Sequence, residues 1–412
     1  MTSPATTSTR RIPYWILLVI VVGIGLNLRS VLGAAPVLFD HLVADLGLTA
    51  TGMSLLSSIS LIVMGVCAPL GHQLATRFTP EWAIFAALMF LAVGSILRLW
   101  TDGAWVLYVT AALTGAGMGA ATALMPGFIA HGLRRIRGTA TGIFSLSMAM
   151  SVAIAAAITA PLADAAGWRF ALAVWGFFAL VVAAGWLLLI RPLQALPESA
   201  TTPPAGEPDA LPTLEEGLKK GGLPWTDRTA QLVTLIAMLV YLLGFSCVAW
   251  IAPSMLSVGY SATEAAGLFL AFQFVQVTSM IGLPIIADFT TDRRPLLGLC
   301  ALTPTIGFIL LLINMHELAL PAMLLMGFGI GGASTLVLIV VTDTTGSQHE
   351  AGRLNAMSLL VSYLLGAGGP FLIGLTRDLT GSFVPGYAIL LGAAVLFGLL
   401  VPFLNPRRRV VG

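Results

Sequence analysis

The chain has 412 residues, 58% of them hydrophobic and 9% charged, with a mean hydropathy of +0.96. A soluble domain is about 45–50% apolar and about 25% charged, so 38 charges (20 basic plus 18 acidic) cannot clothe a water-facing surface of this size. A soluble enzyme and a disordered chain are excluded, and a net charge of +2 gives no footprint for nucleic acid.

Crossing a membrane takes roughly 20 apolar residues in a helix. Twelve such runs occur, over 14–38, 51–71, 82–97, 105–130, 139–160, 170–190, 229–256, 263–287, 295–313, 318–342, 354–375 and 384–404. They are numbered here as spans 1 to 12. The runs are continuous rather than alternating, unlike the strands of a membrane β-barrel. The first is longer than a signal-peptide core and reads as a span. The fold class expected is therefore an all-α membrane protein with twelve transmembrane helices in two six-helix bundles.

Basic residues set the orientation. With the N-terminus inside, the inner segments hold Arg10, Arg11, Arg77, Arg134, Arg135, Arg137, Arg191, Lys219, Lys220, Arg228, Arg293, Arg294, Arg353 and Arg407 to Arg409, which is 16. The outer segments hold three, Arg98, Arg169 and Arg377, and Arg29 lies within span 1. Both termini are expected in the cytoplasm, with the protein multi-pass in the inner (plasma) membrane.

Between spans 6 and 7 lies the longest polar stretch, 191–228, with seven prolines among Glu and Ser. That composition cannot bury a core and reads as a cytoplasmic linker, with a short surface helix over 215–220. It separates an N-terminal bundle (1–190) from a C-terminal bundle with a short tail (229–412). The halves also repeat. Span 4 carries Gly115, Gly117 and Gly119 before Ala121-Thr122, and span 10 carries Gly327, Gly329 and Gly331 before Ala333-Ser334, an offset of 212. Asp164-x-x-Gly167 recurs as Asp378-x-x-Gly381, an offset of 214, and Ala35-Pro36 recurs as Ala252-Pro253. Parallel repeats about an axis along the membrane normal place a substrate site between the halves near the midplane.

Twelve spans, a central linker and a 6+6 duplication resemble the major facilitator superfamily. The loop after span 2 has that family's pattern in degenerate form, Gly71-x-x-x-Ala75-Thr76-Arg77, whereas Pro284-x-x-x-Asp288 and Asp292-Arg293-Arg294 keep acids in the second half. Within the superfamily, Gly25-Leu26-Asn27-Leu28-Arg29-Ser30 followed by Ala35-Pro36 is similar to the first helix of the cyanate and 2-nitroimidazole transporter branch. The resemblance implies a secondary or facilitative transporter that moves a small anionic or polar solute, a cyanate-like anion or a nitro-heterocycle, by alternating access.

Arg29 is the most informative residue. A charge inside a span costs at least about 2.5–3.5 kcal/mol and must face a partner or a watery cavity. No acid lies deep in any span to pair with it. Its planar fork suits an oxyanion or a polar oxygen. The alternative role is structural, bonded to carbonyls of neighbouring helices. Asn27 is about 200° away around the helix and either touches substrate or bonds a neighbour. Gln273 and Gln276, at i and i+3 on span 8, share one face. Tyr363 in span 11 carries a hydroxyl that needs a partner, and Trp250, with Phe269 and Phe272, is read as pocket wall or packing. Ser246 corresponds to Arg29 in the repeat, so the site is asymmetric in charge. The three glycines of span 4 follow no strand, which excludes a dinucleotide fingerprint and points to close helix approach. Gly366 to Gly369 and Pro370 read as a thin, flexible helix.

Histidines fall in loops or at span ends, and Asp40, Glu264 and Asp343 lie near span ends. The three cysteines lack metal-ligand spacing. No catalytic residues, metal or cofactor is expected, and no Gly-x-x-x-x-Gly-Lys-Ser/Thr loop for ATP is present. The expected partners are a small-molecule substrate and the lipid bilayer, with no nucleic acid and a monomeric state. The alternative function is a non-transporting membrane sensor or scaffold with a transporter fold, which would ordinarily carry a soluble domain larger than this linker. A cysteine at Ser199 should resist membrane-impermeant thiol reagents in intact cells and react after permeabilisation. Ready labelling from outside would invert the orientation.

Overall fold

The computed structural model describes residues 13–133, 136–194, 223–290 and 292–404. The linker, with the helix expected over 215–220, and the basic tail lie outside the described residues. Among those described, every regular element is helical. The helices are α1 (Tyr14–Leu28), α2 (Ser30–Ala34), α3 (Phe39–Leu46), α4 (Ala50–Arg77), α5 (Pro80–Ile96), α6 (Ala104–Gly132), α7 (Arg137–Ala166) and α8 (Trp168–Gln194). The second half has α9 (Arg228–Ser257), α10 (Ala262–Asp288), α11 (Arg294–Ile313), α12 (Ala319–Asp343), α13 (Gln348–Gly366), α14 (Gly368–Thr380) and α15 (Val384–Leu400).

Eleven of these stretches are long and apolar enough to cross a membrane, α13 and α14 together counting as one. The pair Tyr14–Leu28 and Ser30–Leu46, bent by 41°, makes a twelfth. Span 1, expected as one run, is broken at Arg29, whose φ of −120° and ψ of 7° leave the helical region. Span 11 is broken at Ala367. The sixth span runs on past 190 to Gln194, and the seventh begins at Arg228. Arg98, expected in a loop, sits in a 3-10 turn that continues α5, only 3% exposed, its Nε donating to Thr110 Oγ1 at 3.2 Å.

The glycine repeat explains how the helices pack. A Cβ on Gly115 would stand 2.5 Å from the Ser60 carbonyl, and one on Gly119 would collide with the Met64 carbonyl, both on α4. Gly117 points the other way, 2.5 Å from the Ala87 carbonyl on α5. In the second half, Gly327 and Gly331 abut the Phe272 and Gln276 carbonyls of α10, and Gly329 abuts the Cys300 carbonyl of α11. In each half one helix is gripped between two neighbours, with glycines alternating between them. Small residues permit such close backbone approach where lipid supplies no hydrophobic drive between helices. The apolar cores follow: one joins α1 with α4 to α8, another α9 to α13 with α15, and the largest spans both halves through Trp250, Phe269 and Phe272.

Gly331→Ala should lower the melting temperature of the detergent-purified protein, because its Cβ meets backbone that cannot yield without parting α12 from α10; overpacking of this kind costs about 1–3 kcal/mol. Gly142→Ala, which has no atom within 4 Å of the added carbon, should leave melting unchanged or raise it slightly.

Candidate functional site

By the order of the crossings, α4 begins and α14 ends at the face opposite the end of α8 and the start of α9, called here the far face. There the two halves are joined by hydrogen bonds. The Asp378 carboxylate accepts from the amides of Ala50 at 2.9 Å and Thr51 at 2.8 Å. Thr49 Oγ1 accepts from Gly52 N at 3.1 Å, so the first amides of α4 are capped partly by its own chain and partly by the other half. Below this, Ser54 donates to the Pro370 carbonyl at 2.8 Å and Ser58 to the Ala367 carbonyl at 2.7 Å. Both carbonyls lie where span 11 is interrupted. A side chain on Gly374 would collide with Ser54 Oγ and the Ala50 carbonyl, which fixes glycine at this seam.

Trp250 belongs to this closure. It is 1% exposed, donates Nε1 to the Pro370 carbonyl at 2.9 Å and meets the rings of Phe39 at 5.8 Å and Phe383 at 5.3 Å. Between these groups lies a void with room for about one water, bordered by Pro36, Phe39, Ser54, Ser57 and Trp250.

The break in span 1 has its own satisfying bonds. Ser30 Oγ donates to the Asn27 carbonyl at 2.9 Å, and Ser151 Oγ of α7 donates to the Leu26 carbonyl. Asn27 is 2% exposed, and its amide donates to the Trp175 carbonyl of α8 at 3.3 Å. Arg29 differs. It is half-buried, and its guanidinium has no hydrogen bond or ion pair with any described residue. Its neighbour Leu28 belongs to the first-half core on which Phe245 and Tyr363 of the second half pack, and Tyr241 of α9 lies within reach of its charge.

Around Tyr241 stands a cluster of three rings. Tyr241 lies 5.6 Å from Phe245 and 5.7 Å from Tyr363, and Phe245 stacks on Tyr363 at 5.9 Å with an interplanar angle of 19°. Tyr363 rests its Cβ against Gly65 of α4, and Gly366 lets α13 approach Tyr241. Phe245 and Tyr363 pack against the core of the first half although both belong to the second. The cluster therefore lies between the halves. Of the sequence-selected residues, Tyr363 stands in this ring cluster. Asn27 and Trp250 are tied to backbone carbonyls elsewhere. Gln273 is 3% exposed with an unpartnered Oε1, and Gln276 is half-buried beside Gly331; both stand on α10. Phe269 and Phe272 stack at 6.2 Å in the core. Ser246, the repeat counterpart of Arg29, is fully buried, with its hydroxyl unpartnered against Gly369.

Tyr241 and Phe245 were not selected from the sequence. The rule that chose Tyr363, a mid-span hydroxyl in need of a partner, applies equally to Tyr241. Elsewhere, Arg293 pairs with Asp343 at 2.9 Å, and Arg294 hydrogen-bonds Asp292, holding that loop carboxyl below its ordinary range. Among the described residues no group of His, Cys, Asp and Glu is arranged to hold a metal.

The family model described as Major Facilitator Superfamily matches residues 15–370. The chain belongs to the major facilitator superfamily. The 2-nitroimidazole transporter of Escherichia coli (strain K12) is 30% identical over 371 residues, covering 89% of this chain and 90% of that one. The cyanate transport protein of the same organism is 24% identical over 387 residues, covering 93% and 95%. An uncharacterized transporter of Bacillus subtilis (strain 168) is 25% identical over 389 residues, covering 93% and 92%. Among solved structures, a crystal structure of the D-xylose-proton symporter superposes with a TM-score of 0.71 at 16% identity, covering 94% of this chain and 97% of that one. The xylose transporter of E. coli in an inward open conformation gives 0.71 at 14%, covering 94% and 96%. These structures share the fold. The protein is a multi-pass membrane transporter of the major facilitator type, and its relatives are transporters rather than enzymes.

Asp378→Ala strips two amides of their cap, which typically costs about 1 kcal/mol. With Cys67, Cys247 and Cys300 replaced, a cysteine at Ser57 should react faster with a water-soluble maleimide when Asp378→Ala is present. Equal rates would mean that the carboxylate contributes nothing to closure.

Proposed function

We propose that this transporter carries a small anionic or strongly polar solute, of the cyanate-like anion or nitro-heterocycle class, across the bacterial inner membrane, with Arg29 as its anchor. The observation that carries this reading is the half-buried guanidinium at the break in span 1, without a partner among the described residues. A half-buried cation without a partner is costly in a low-dielectric setting. An oxyanion or a strong dipole offsets that cost by accepting from its fork of donors. One cation neutralises one negative charge, so a dianion would leave charge unpaired. The similarity to transporters named for cyanate and for 2-nitroimidazole agrees with a single small acceptor.

Transport proceeds by alternating access. Residues 1–190 rock against 229–412, joined by the linker 191–228, with both termini and the linker cytoplasmic. The seam between α4 and α13–α14 is one of the two closures that such a cycle needs. Its serine-to-carbonyl bonds exchange readily with water, so the seam parts without stranding polar groups. Of the other residues selected from the sequence, Tyr363 belongs to the same site. Asn27 positions the bend through α8, Trp250 seats the closure, and Gln273 and Gln276 line the α10 side. The protein works as a monomer.

Arg29→Gln should abolish solute binding while the protein still inserts and melts near the wild-type temperature. Arg29→Lys keeps the charge, loses the fork and should weaken binding. Binding by calorimetry and melting by dye fluorescence, taken on the same preparations, separate this role from a structural one. A folded Arg29→Gln protein with unchanged affinity for both cyanate and 2-nitroimidazole would sink the proposal.

A further inference from the structure

We infer that Tyr241, Phe245 and Tyr363 make the Arg29 site selective for a flat, π-conjugated monoanion or ring dipole over a linear or puckered solute of equal charge. This rests on Arg29 as anchor and adds what the rest of the site reads.

The first observation is what the three rings do not touch. The Tyr241 and Tyr363 hydroxyls have no hydrogen-bond partner among the described residues, yet both tyrosines are half-buried in the middle of spans. A hydroxyl facing hydrocarbon without a partner costs roughly 2 kcal/mol or more. Other ring donors in the interior are satisfied: Tyr387 OH bonds Ser254 at 2.6 Å, Trp175 Nε1 bonds Thr159 at 3.1 Å and Trp186 Nε1 bonds the Glu81 carbonyl at 2.8 Å. Neither tyrosine hydroxyl is sealed from solvent, and the Arg29 guanidinium, also without a partner among the described residues, lies within electrostatic reach of Tyr241.

The second observation is chemical. Arg29 offers only donors, and each tyrosine adds one more donor that rotates to suit. No carboxylate lies among them, so the site satisfies a ligand that is rich in acceptors and carries no ammonium group. The third is shape. Phe245 and Tyr363 are nearly parallel, and Tyr241 is tilted 60° to Tyr363, so the wall presents ring faces and edges rather than branched aliphatic bulk. Aromatic contacts reward a flat partner by about 0.5–1.5 kcal/mol each beyond burial, and guanidinium stacks on planar conjugated groups as well as pairing with them. A three-atom linear anion reaches the fork but covers little of the wall. A five- or six-membered ring bearing one acceptor group reaches the fork with its acceptor and lays its face against the rings.

A pair of probes isolates flatness from charge: 2-furoate, and tetrahydro-2-furoate, which has the same heavy atoms and charge but a puckered saturated ring. Binding to the full-length protein in detergent is measured by calorimetry. The expected result is that 2-furoate binds about tenfold more tightly than its saturated counterpart. Phe245→Leu should shrink that ratio to below about threefold while barely changing the affinity for the saturated probe, and Tyr363→Leu, which loses a ring and a donor, should shrink the ratio as far and weaken both probes. Tyr241→Phe should weaken both probes about three- to tenfold and keep the ratio, because it loses a donor and keeps a ring. Tyr363→Phe, which preserves the packing on Gly65, stands in if Tyr363→Leu fails to fold, and should behave as Tyr241→Phe does. Equal binding of the two probes by the wild type, abolished by Arg29→Gln, overturns this inference and leaves the anchor standing. Failure to bind 2-furoate at all also overturns it. Discrimination that survives in folded Arg29→Gln protein refutes the anchor instead.

Discussion

A backbone carbonyl cannot be left bare in hydrocarbon, and this constraint organises the protein. Span 1 breaks at Arg29 and span 11 breaks at Ala367, and each break frees carbonyls that water cannot reach from lipid. The chain answers with short hydroxyl side chains. Ser30 and Ser151 serve Asn27 and Leu26, while Ser54 and Ser58 serve Pro370 and Ala367. The first pair of donors comes from the same half, so the bend in span 1 is a fixed feature of that bundle. The second pair comes from the opposite half, and Trp250 of span 11's own half adds a third donor, so the irregular backbone of span 11 is bonded from both sides where the halves meet. Irregular structure at membrane depth is concentrated where it borders another bundle or a polar space.

Much of this was legible in the sequence. The twelve apolar runs, the glycine offsets and the depth of Arg29 required only hydropathy, spacing and the cost of a buried charge. The paired glycines gave the helix contacts almost directly, because a residue without a Cβ every second position of one helix can serve two neighbours at once. What could not be read was which polar groups would find partners. Asn27 and Gln273 have the same amide, but one reaches the Trp175 carbonyl and the other leaves its oxygen unpartnered. Trp250 reads as pocket wall or packing and is pinned at a closure. Tyr241 was passed over although its chemistry matches Tyr363. Partner choice depends on the rotation of each helix about its axis, and an apolar run on both faces, as in α1 or α10, carries no periodicity that fixes that rotation.

The duplication kept packing and let electrostatics drift. The glycine grip is the same in α6 and α12, whereas the far-face acids have parted ways. Asp378 caps α4 across the interface. Its repeat counterpart Asp164 stands beside His41 at 3.9 Å, and the helix that it would cap, α10, closes its own end with a Ser261–Glu264 box. Arg29 and Ser246 diverged in the same way. Backbone contacts tolerate no drift because a single carbon atom forces helices apart, while caps and charges can be supplied from several positions.

The lone charge of Arg29 has an electrical consequence. A full elementary charge moved across the membrane field is worth about 2.3 kcal/mol per 100 mV. If an anion sits on the guanidinium, the pair is neutral, and rocking of the loaded protein moves no net charge at that point. The empty protein rocks with the cation exposed to whatever fraction of the field falls across the gap. Membrane potential then acts on the return of the unloaded transporter rather than on the step that carries cargo, and it becomes a brake or an accelerator on turnover.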